Sequence, residues 1–127
     1  KGMCVGPQNA EETEQTYDTL DKQMDDPYSI YNFVKQTISI RNAFPEIARG
    51  TNTFEKNLSN DNVCIFTREY NGEKSVLIFN PSKDEASVDV SSLGVNDAVA
   101  MLQTTKKAPS YKDGTAKLPA YSVLVLK

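Results

Sequence analysis

A change of hydrophobic periodicity at Pro45 divides the chain into a helical part and a strand-rich part. Before Pro45 the apolar residues recur at helical spacing, at Tyr31, Val34, Ile38 and Phe44, with Phe33 and Ile40 widening the same face. Asp26 can cap free amides, Pro27 suits a first helical turn, and Pro45 disfavours helical geometry in the residue before it. We therefore predict one amphipathic helix over about 27–44, with the first strand beginning between Ala48 and Thr53.

After Pro45 the strongest signal is Asn71-Gly72, which lies between two β-rich runs in "VCIFTREYNGEKSVLIFN". Asn and Gly both tolerate positive φ, as a type I′ turn requires, so the two runs are predicted to form a hairpin. Further short strands are predicted in "RGTNTFE", "ASVDVSS", "VAMLQTT", "TAKL" and "YSVLVLK". Their spacing indicates a mainly β fold, an antiparallel Greek-key β-sandwich preceded by a polar N-terminal segment and the helix.

The predicted strands are apolar on both faces. In the last strand Val123 and Val125 alternate with Leu124 and Leu126, and "SVLIF" shows the same pattern. A sandwich sheet that faces water on its outer side should carry polar residues there. We therefore expect both faces of these strands to be covered, and one helix can cover only part of the outer face.

Composition excludes several classes of function. A chain of 127 residues suffices for one domain, and a net charge of −3 with a pI near 4.9 argues against a nucleic-acid partner. No apolar run approaches the ~20 residues that a membrane-spanning helix needs. The sequence contains no histidine, which removes Ser-His-Asp and Cys-His nucleophilic sites and zinc sites that need imidazole. The first fifteen residues lack the apolar region of a signal peptide.

No catalytic, cofactor-binding or metal-ligating residue is predicted. Two cysteines, Cys4 and Cys64, cannot form a Cys-x-x-Cys motif, and Cys64 is expected to be a buried core thiol, although a Cys4–Cys64 disulfide stays open. The acidic pairs fit a solvated run, a helix cap and a turn. These pairs are Glu11-Glu12, Asp25-Asp26 and Asp84-Glu85.

Three stretches, in order, resemble the C-terminal part of α-amylase family enzymes, glycoside hydrolase family 13. "SIYNFVKQTISIRNAFPEIARG" is similar to the last helix of that family's catalytic barrel. The matching positions are Ser29, Ile30, Asn32, Phe33, Ile38, Arg41, Pro45 and Gly50. "FTREYNGEKSVLIFNPS" resembles the first hairpin of the family's C-terminal β-sandwich, domain C, and "LPAYSVLVLK" resembles its closing strand.

The resemblance implies that residues 1–47 end a (β/α)₈ barrel domain and that 48–127 form domain C. The chain would then be a non-catalytic C-terminal fragment of a bacterial enzyme that degrades starch, with the missing barrel as its partner. Retaining enzymes of this kind use two carboxylates on barrel strands, and none of those strands is recognised in this sequence. The resemblance also implies an extracellular or cell-surface location, and calcium is possible in the parent enzyme but not assigned to this chain.

A carbohydrate-binding module for α-glucan is the alternative function. Such modules stack exposed aromatic side chains on sugar rings, and Tyr70, Tyr111 and Tyr121 are the candidates here. The chain has no Trp, and each tyrosine also has a plausible packing role, so an accessory domain that covers the barrel is the favoured interpretation.

Overall fold

A computed structural model describes residues 16–127, which form two antiparallel sheets with three short helices before them. The predicted fold class, a mainly β sandwich, is confirmed. The helices are α1 (Leu20–Asp25), α2 (Ile30–Ala43) and α3 (Pro45–Arg49). The strands are β1 (Thr51–Phe54), β2 (Cys64–Tyr70), β3 (Glu73–Asn80), β4 (Ala86–Asp89), β5 (Ala98–Leu102), β6 (Ser110–Lys112), β7 (Thr115–Leu118) and β8 (Ser122–Leu126).

The predicted helix is present, but its start and its surroundings differ from the prediction. Ser29, not Asp26, caps α2, because the Ser29 hydroxyl accepts from the Asn32 amide at 3.2 Å. The Asp26 carboxylate instead accepts from the Tyr28 amide at 2.9 Å and shapes the turn before the helix. The helix does end before Pro45, as predicted, since Phe44 is extended with φ −118° and ψ 95°.

Two further helices were not predicted as such. Pro45 opens α3, a short helix that runs across the predicted domain boundary at 47/48, and β1 then begins at Thr51 inside the expected window. Proline fits there because the first helical residue has no intrahelical use for its amide. α1 lies within the polar N-terminal segment. The division into 1–47 and 48–127 itself stays a prediction.

Two hairpins have type I′-like tips. Asn71 and Gly72 have φ values of 51° and 83°, and β2 pairs with β3 from Tyr70↔Glu73 to Cys64↔Phe79, which confirms the predicted hairpin. A second tip at Asp113-Gly114, with φ values of 49° and 81°, joins β6 to β7. Strand β6 is absent from the predicted strands, although Asp113-Gly114 is a hairpin signal of the same kind as Asn71-Gly72.

The sheets have the orders β1-β2-β3-β8-β5 and β4-β7-β6, and the core lies between them. Ten residues form the buried core cluster: Val63, Ile65, Val76, Ile78, Val90, Val95, Ala116, Leu118, Leu124 and Leu126. The chain passes between the sheets at each of the connections β3–β4, β4–β5, β5–β6 and β7–β8. Such crossings place non-consecutive strands side by side, as β3 beside β8 and β8 beside β5.

Cys64 does not lie in this core, which corrects the expectation of a buried core thiol. It is half-buried and alternates with the core residue Ile65, so it points to the opposite side of β2. Cys4 and the pair Glu11-Glu12 lie outside the described residues. A Cys4–Cys64 disulfide is therefore not tested by the structure.

Candidate functional site

The side of the five-stranded sheet that faces away from the core is apolar, and we call it the outer face. Residues directly opposite each other on paired strands share a side, so the registers define its members. Its apolar members are Phe54, Cys64, Phe66, Leu77, Phe79, Ala100, Leu102, Val123 and Val125, and the polar pair Arg68 and Ser75 lies on the same side. The rings of Phe54 and Phe66 lie 5.3 Å apart and those of Phe66 and Phe79 5.9 Å apart, so three strands are bridged by aromatic contacts.

The helices cover the outer face only in part. Leu102 and Val125 are buried, whereas Phe66, Leu77, Phe79 and Val123 keep intermediate exposure. Phe54 at the β1 edge is 49% exposed. One helix was expected to cover only part of the outer face, and the exposure of these residues confirms that expectation.

A buried ion pair holds α3 against the sheet. The Glu46 carboxylate, 1% exposed, accepts from the Ser75 hydroxyl at 2.6 Å and from Lys127 Nζ at 3.0 Å. Lys127 also contacts Glu73 at 2.9 Å and lies 5.7 Å from the centre of the Phe44 ring. These contacts join α3, β3 and the residue after β8, and we call them the Glu46 clasp.

The clasp changes the proton affinity of both charged groups. Burial acts to raise the pKa of Glu46, but hydrogen bonds from Ser75 and Lys127 and the charge of Lys127 outweigh it, so the pKa is lowered. Hydrogen bonds to Glu73 and Glu46 raise the pKa of Lys127. Glu46 is thus held ionised by a cation, which suits a structural anchor and not a general acid that must carry a proton.

Arg68 completes the attachment of α3 from the outer face. Its guanidinium donates to the carbonyl oxygens of Glu46 at 3.3 Å and Ile47 at 3.0 Å. These carbonyls lie near the C-terminal end of α3, where a cation also complements the partial negative charge of the helix. The guanidinium of Arg68 therefore has a structural role, because its hydrogen bonds attach α3 to the sheet.

An open apolar groove lies between the N-terminal end of α2 and the end of the five-stranded sheet. Its volume is ≈ 360 Å³, and its lining includes Ile30, Phe33, Phe79, Tyr121 and Val123. Phe33 is half-buried, so this side of α2 does fold back toward the sheet. The groove has few polar groups to orient a sugar, because the Asn80 amide in its wall is already occupied.

A second side of α2 carries an exposed apolar stripe, which borders the groove at Ile30. Ile30, Val34 and Ile38 lie at helical spacing and are 52%, 50% and 54% exposed. Leu20 of α1 is also exposed and lines the same open surface as Ile30, Val34 and Ile38. Contiguous apolar surface of this kind marks a contact surface in a soluble protein.

Two asparagines organise the loops around these surfaces. The Asn80 side-chain amide donates to the carbonyls of Asp84 at 2.8 Å, Leu118 at 3.2 Å and Pro119 at 2.8 Å. Its oxygen accepts from the amide and the hydroxyl of Ser82. Asn80 is not among the predicted residues, although its position between a buried strand and Pro81 is a turn signal.

Asn32 has the same role between the helices. Its side-chain amide donates to the carbonyls of Gln23 at 2.9 Å, Met24 at 3.1 Å and Asp26 at 2.8 Å, which closes the end of α1. Ser29 adds a hydrogen bond to the Gln23 carbonyl at 2.6 Å. Asn32 and Ser29 belong to the stretch that resembles the barrel helix, and here they fix the approach to α2.

The structure does not bring the three candidate tyrosines together. Tyr70 ends β2 beside the Asn71-Gly72 turn, and Tyr121 precedes β8 at the opposite end of the sheet, about 25 Å away by strand rise. Tyr111 packs against the core from the other sheet and donates its hydroxyl to the Val95 carbonyl at 2.8 Å. Tyr121, 53% exposed, is the most accessible of the three.

The acidic pairs within the described residues take structural positions. Asp26 shapes the turn before α2, and Glu85 forms an exposed ion pair with Lys107 in the loops. Residues 16–127 contain no cluster of three carboxylate, thiol or imidazole groups that could hold a metal ion. Within the same range, no helix is long and apolar enough to cross a membrane.

Comparison with known proteins gives a family and a fold. The family model described as the maltogenic amylase C-terminal domain matches residues 56–125. Amy13B of Eubacterium rectale is 96% identical over the whole of this chain, with a TM-score of 0.93, and the chain covers 25% of Amy13B. A search of curated protein sequences gave no match.

More distant structures share the fold alone. Trehalulose synthase MutB of Pseudomonas mesoacidophila MX-45 is 23% identical with a TM-score of 0.69, covering 84% of this chain and 19% of its own. The MutB F164L mutant, from crystals soaked with trehalulose, gives the same identity and TM-score over 85% of this chain. The chain thus spans about a quarter or less of the length of these relatives.

Proposed function

The chain belongs to the maltogenic amylase C-terminal domain family, and from that membership we propose that it stabilises the (β/α)₈ catalytic barrel of an enzyme that degrades starch or related α-glucans. The resemblance found in the sequence is confirmed, and the domain is an accessory, non-catalytic one. In its structural neighbours the same domain is part of a longer chain. What we propose is that the partner is the barrel and that the substrate of the enzyme is an α-glucan.

The exposed apolar surface supports this proposal most directly. The outer face and the stripe of Ile30, Val34 and Ile38 together offer aliphatic and aromatic side chains from a sheet and a helix. A rigid neighbour that buries them would add roughly 25 cal/mol for each Å² removed from water. The clasp and Arg68 hold α3, which directly follows α2, against the sheet.

The chain by itself is proposed to hydrolyse no glycosidic bond. Retaining hydrolysis needs two carboxyl groups about 5–5.5 Å apart on either side of the bond. The buried carboxylate of Glu46 is engaged by Ser75 and Lys127, and Glu73 is reached only through the same lysine. We further propose an extracellular or cell-surface parent enzyme, in which any calcium would belong to the barrel.

A pair of charge insertions on α2 tests the docking role. Ile38→Asp places a carboxylate in the stripe, and Gln36→Asp places one about 200° away around the helix as a matched control. In this chain both should change the free energy of unfolding by less than ~0.5 kcal/mol, because both sites are exposed. In the full-length enzyme only Ile38→Asp should destabilise, by about 2–4 kcal/mol, since it would bury a charge against the barrel.

The measurements are melting curves of both variants in both contexts, with starch hydrolysis assayed alongside. Equal melting temperatures of the two full-length variants would contradict docking through α2. Turnover of soluble starch by this chain alone, after purification to constant specific activity, would contradict the accessory role. A titration with maltooligosaccharides followed by NMR distinguishes the accessory role from the alternative of a glucan-binding module. Only a glucan-binding module would show clustered chemical-shift changes around Tyr121.

A further inference from the structure

Asn71 and Gly72 form the only Asn-Gly pair in the sequence, and the structure places it at an exposed hairpin tip. Both residues have left-handed backbone geometry, with φ values of 51° and 83°. Across residues 16–127 the Asn71 side chain and the Gly72 amide take part in none of the hydrogen bonds of the turns and loops. A Cβ added at Gly72 would meet no atom within 4 Å.

We propose that Asn71 is a site of spontaneous deamidation through a succinimide. The Gly72 amide nitrogen attacks Asn71 Cγ, the Cγ–Nδ2 bond breaks, and the amide proton leaves with the side-chain nitrogen as ammonia. Water then adds to one of the two ring carbonyls and opens the ring to aspartate or isoaspartate. The net change consumes one water and releases one ammonia, so no oxidant, reductant or enzyme is required.

The geometry of the tip makes the attack accessible. Closing the ring requires Asn71 to leave its left-handed conformation, and only the terminal pair Tyr70↔Glu73 must open for that rotation. Gly72 has no side chain to obstruct the approach of its nitrogen, and the space around it is empty. Terminal hairpin pairs also open at low free energy compared with the centre of a sheet.

Other positions lack this combination. The second tip, Asp113-Gly114, is packed, because a Cβ at Gly114 would lie 2.7 Å from Ser91 Cβ, and the Gly114 carbonyl accepts from Val90 at 2.8 Å. Asn80 is buried, and the proline that follows it has no amide proton to lose. The exposed Asn57 and Asn96 are followed by Leu58 and Asp97, whose side chains hinder the attack.

The two products affect the hairpin differently. Aspartate fits the turn, as Asp113 shows by adopting φ 49° in the same kind of tip. Isoaspartate carries the main chain through an extra methylene, which breaks the two-residue loop length that sets the register of β2 and β3. The damage lies next to Glu73, which pairs with Lys127 in the Glu46 clasp.

The test is to age the full chain in mildly alkaline buffer at 37 °C and map its peptides by mass spectrometry. Digestion is carried out in ¹⁸O-labelled water, so that conversion during digestion carries the label and is discounted. The control is Asn71→Gly, which keeps a type I′-compatible tip but removes the amide that would be lost. Melting curves and isoaspartate content are measured on both proteins at each time.

We expect unlabelled conversion at Asn71 about tenfold or more faster than at Asn57 or Asn96, which corresponds to about 1.4 kcal/mol in activation free energy. The rate should rise with pH, because the attacking amide must lose its proton, and isoaspartate should lower the melting temperature of wild type but not of Asn71→Gly. Conversion at Asn71 no faster than at Asn57, or aging that destabilises both proteins equally, would overturn the proposal.

Discussion

Replacing Asn80 by Asp should be among the most damaging conservative changes in this fold. Asn80 is 1% exposed, and its side-chain nitrogen faces the carbonyl oxygens of Asp84, Leu118 and Pro119. Aspartate has almost the same shape but puts an acceptor where the donor was. The three carbonyls lose their partner, and a negative charge is buried among oxygens that repel it.

The expected cost follows from these contacts. Each lost hydrogen bond is worth about 1 kcal/mol, and an uncompensated buried charge brings the total to about 3–5 kcal/mol. At about 4 °C per kcal/mol for a domain of this size, the melting temperature should fall by about 12–20 °C. Asn57→Asp, on the exposed loop after β1, makes the same chemical change as a control and should cost less than ~0.5 kcal/mol.

The pH dependence identifies the cause. Burial among carbonyls raises the pKa of an aspartate, and protonation removes the charge and restores one donor. The penalty of Asn80→Asp should therefore be full at pH 7 and shrink as the pH falls toward 4. Urea unfolding of both variants and wild type at the two pH values measures it. A penalty below ~1 kcal/mol, or one unchanged between pH 7 and 4, would refute the reasoning.

Three further changes have definite expectations. Glu46→Gln should lower the free energy of unfolding by about 2–3 kcal/mol near pH 7. Because the pKa of Glu46 is lowered from 4.5, this cost should fade as the pH falls through the folded pKa of Glu46, and because the pKa of Lys127 is raised from 10.5, it should also fade as the pH rises through the folded pKa of Lys127. A cost unchanged between pH 3 and 7 would contradict the clasp. Asn71→Val should destabilise by roughly 1 kcal/mol or more, because a β-branched residue resists φ 51°, and an unchanged melting temperature would contradict the tip geometry. Asn32→Ala should cost about 1–3 kcal/mol by freeing three carbonyls, measured by urea unfolding, with the exposed Asn42→Ala as a control that should be near neutral.

The features that the sequence predicted well are local ones. Pro45 ends α2 because proline restricts the residue before it, and Asn71-Gly72 turns the chain because both residues accept positive φ. The double-sided apolarity of β3 and β8 follows from strand alternation, and the structure confirms that the helices cover the outer face only in part. Full cover of that face stays a prediction. The resemblance to domain C also rested on such short ordered stretches, and it was confirmed.

Competition between nearby signals decided the details that were predicted wrongly. Asp26 and Ser29 can both cap a helix, and Ser29 wins because its hydroxyl also donates to the Gln23 carbonyl of α1. Cys64 lies among strand-forming residues whichever face of the sheet it occupies, and only the register of β2 places it on the outer face. A shift of one residue would have put it in the core.

The anchoring contacts were decided by the tertiary structure alone. Glu46 meets Ser75 across 29 residues, and Asn80 meets Pro119 across 39, so no local pattern marks either residue as buried. A glutamate after proline and an asparagine before one look in sequence like surface residues of a turn. They are buried because the folded sheets bring donors and acceptors to them, and burial of a polar group is stable only where such partners already stand.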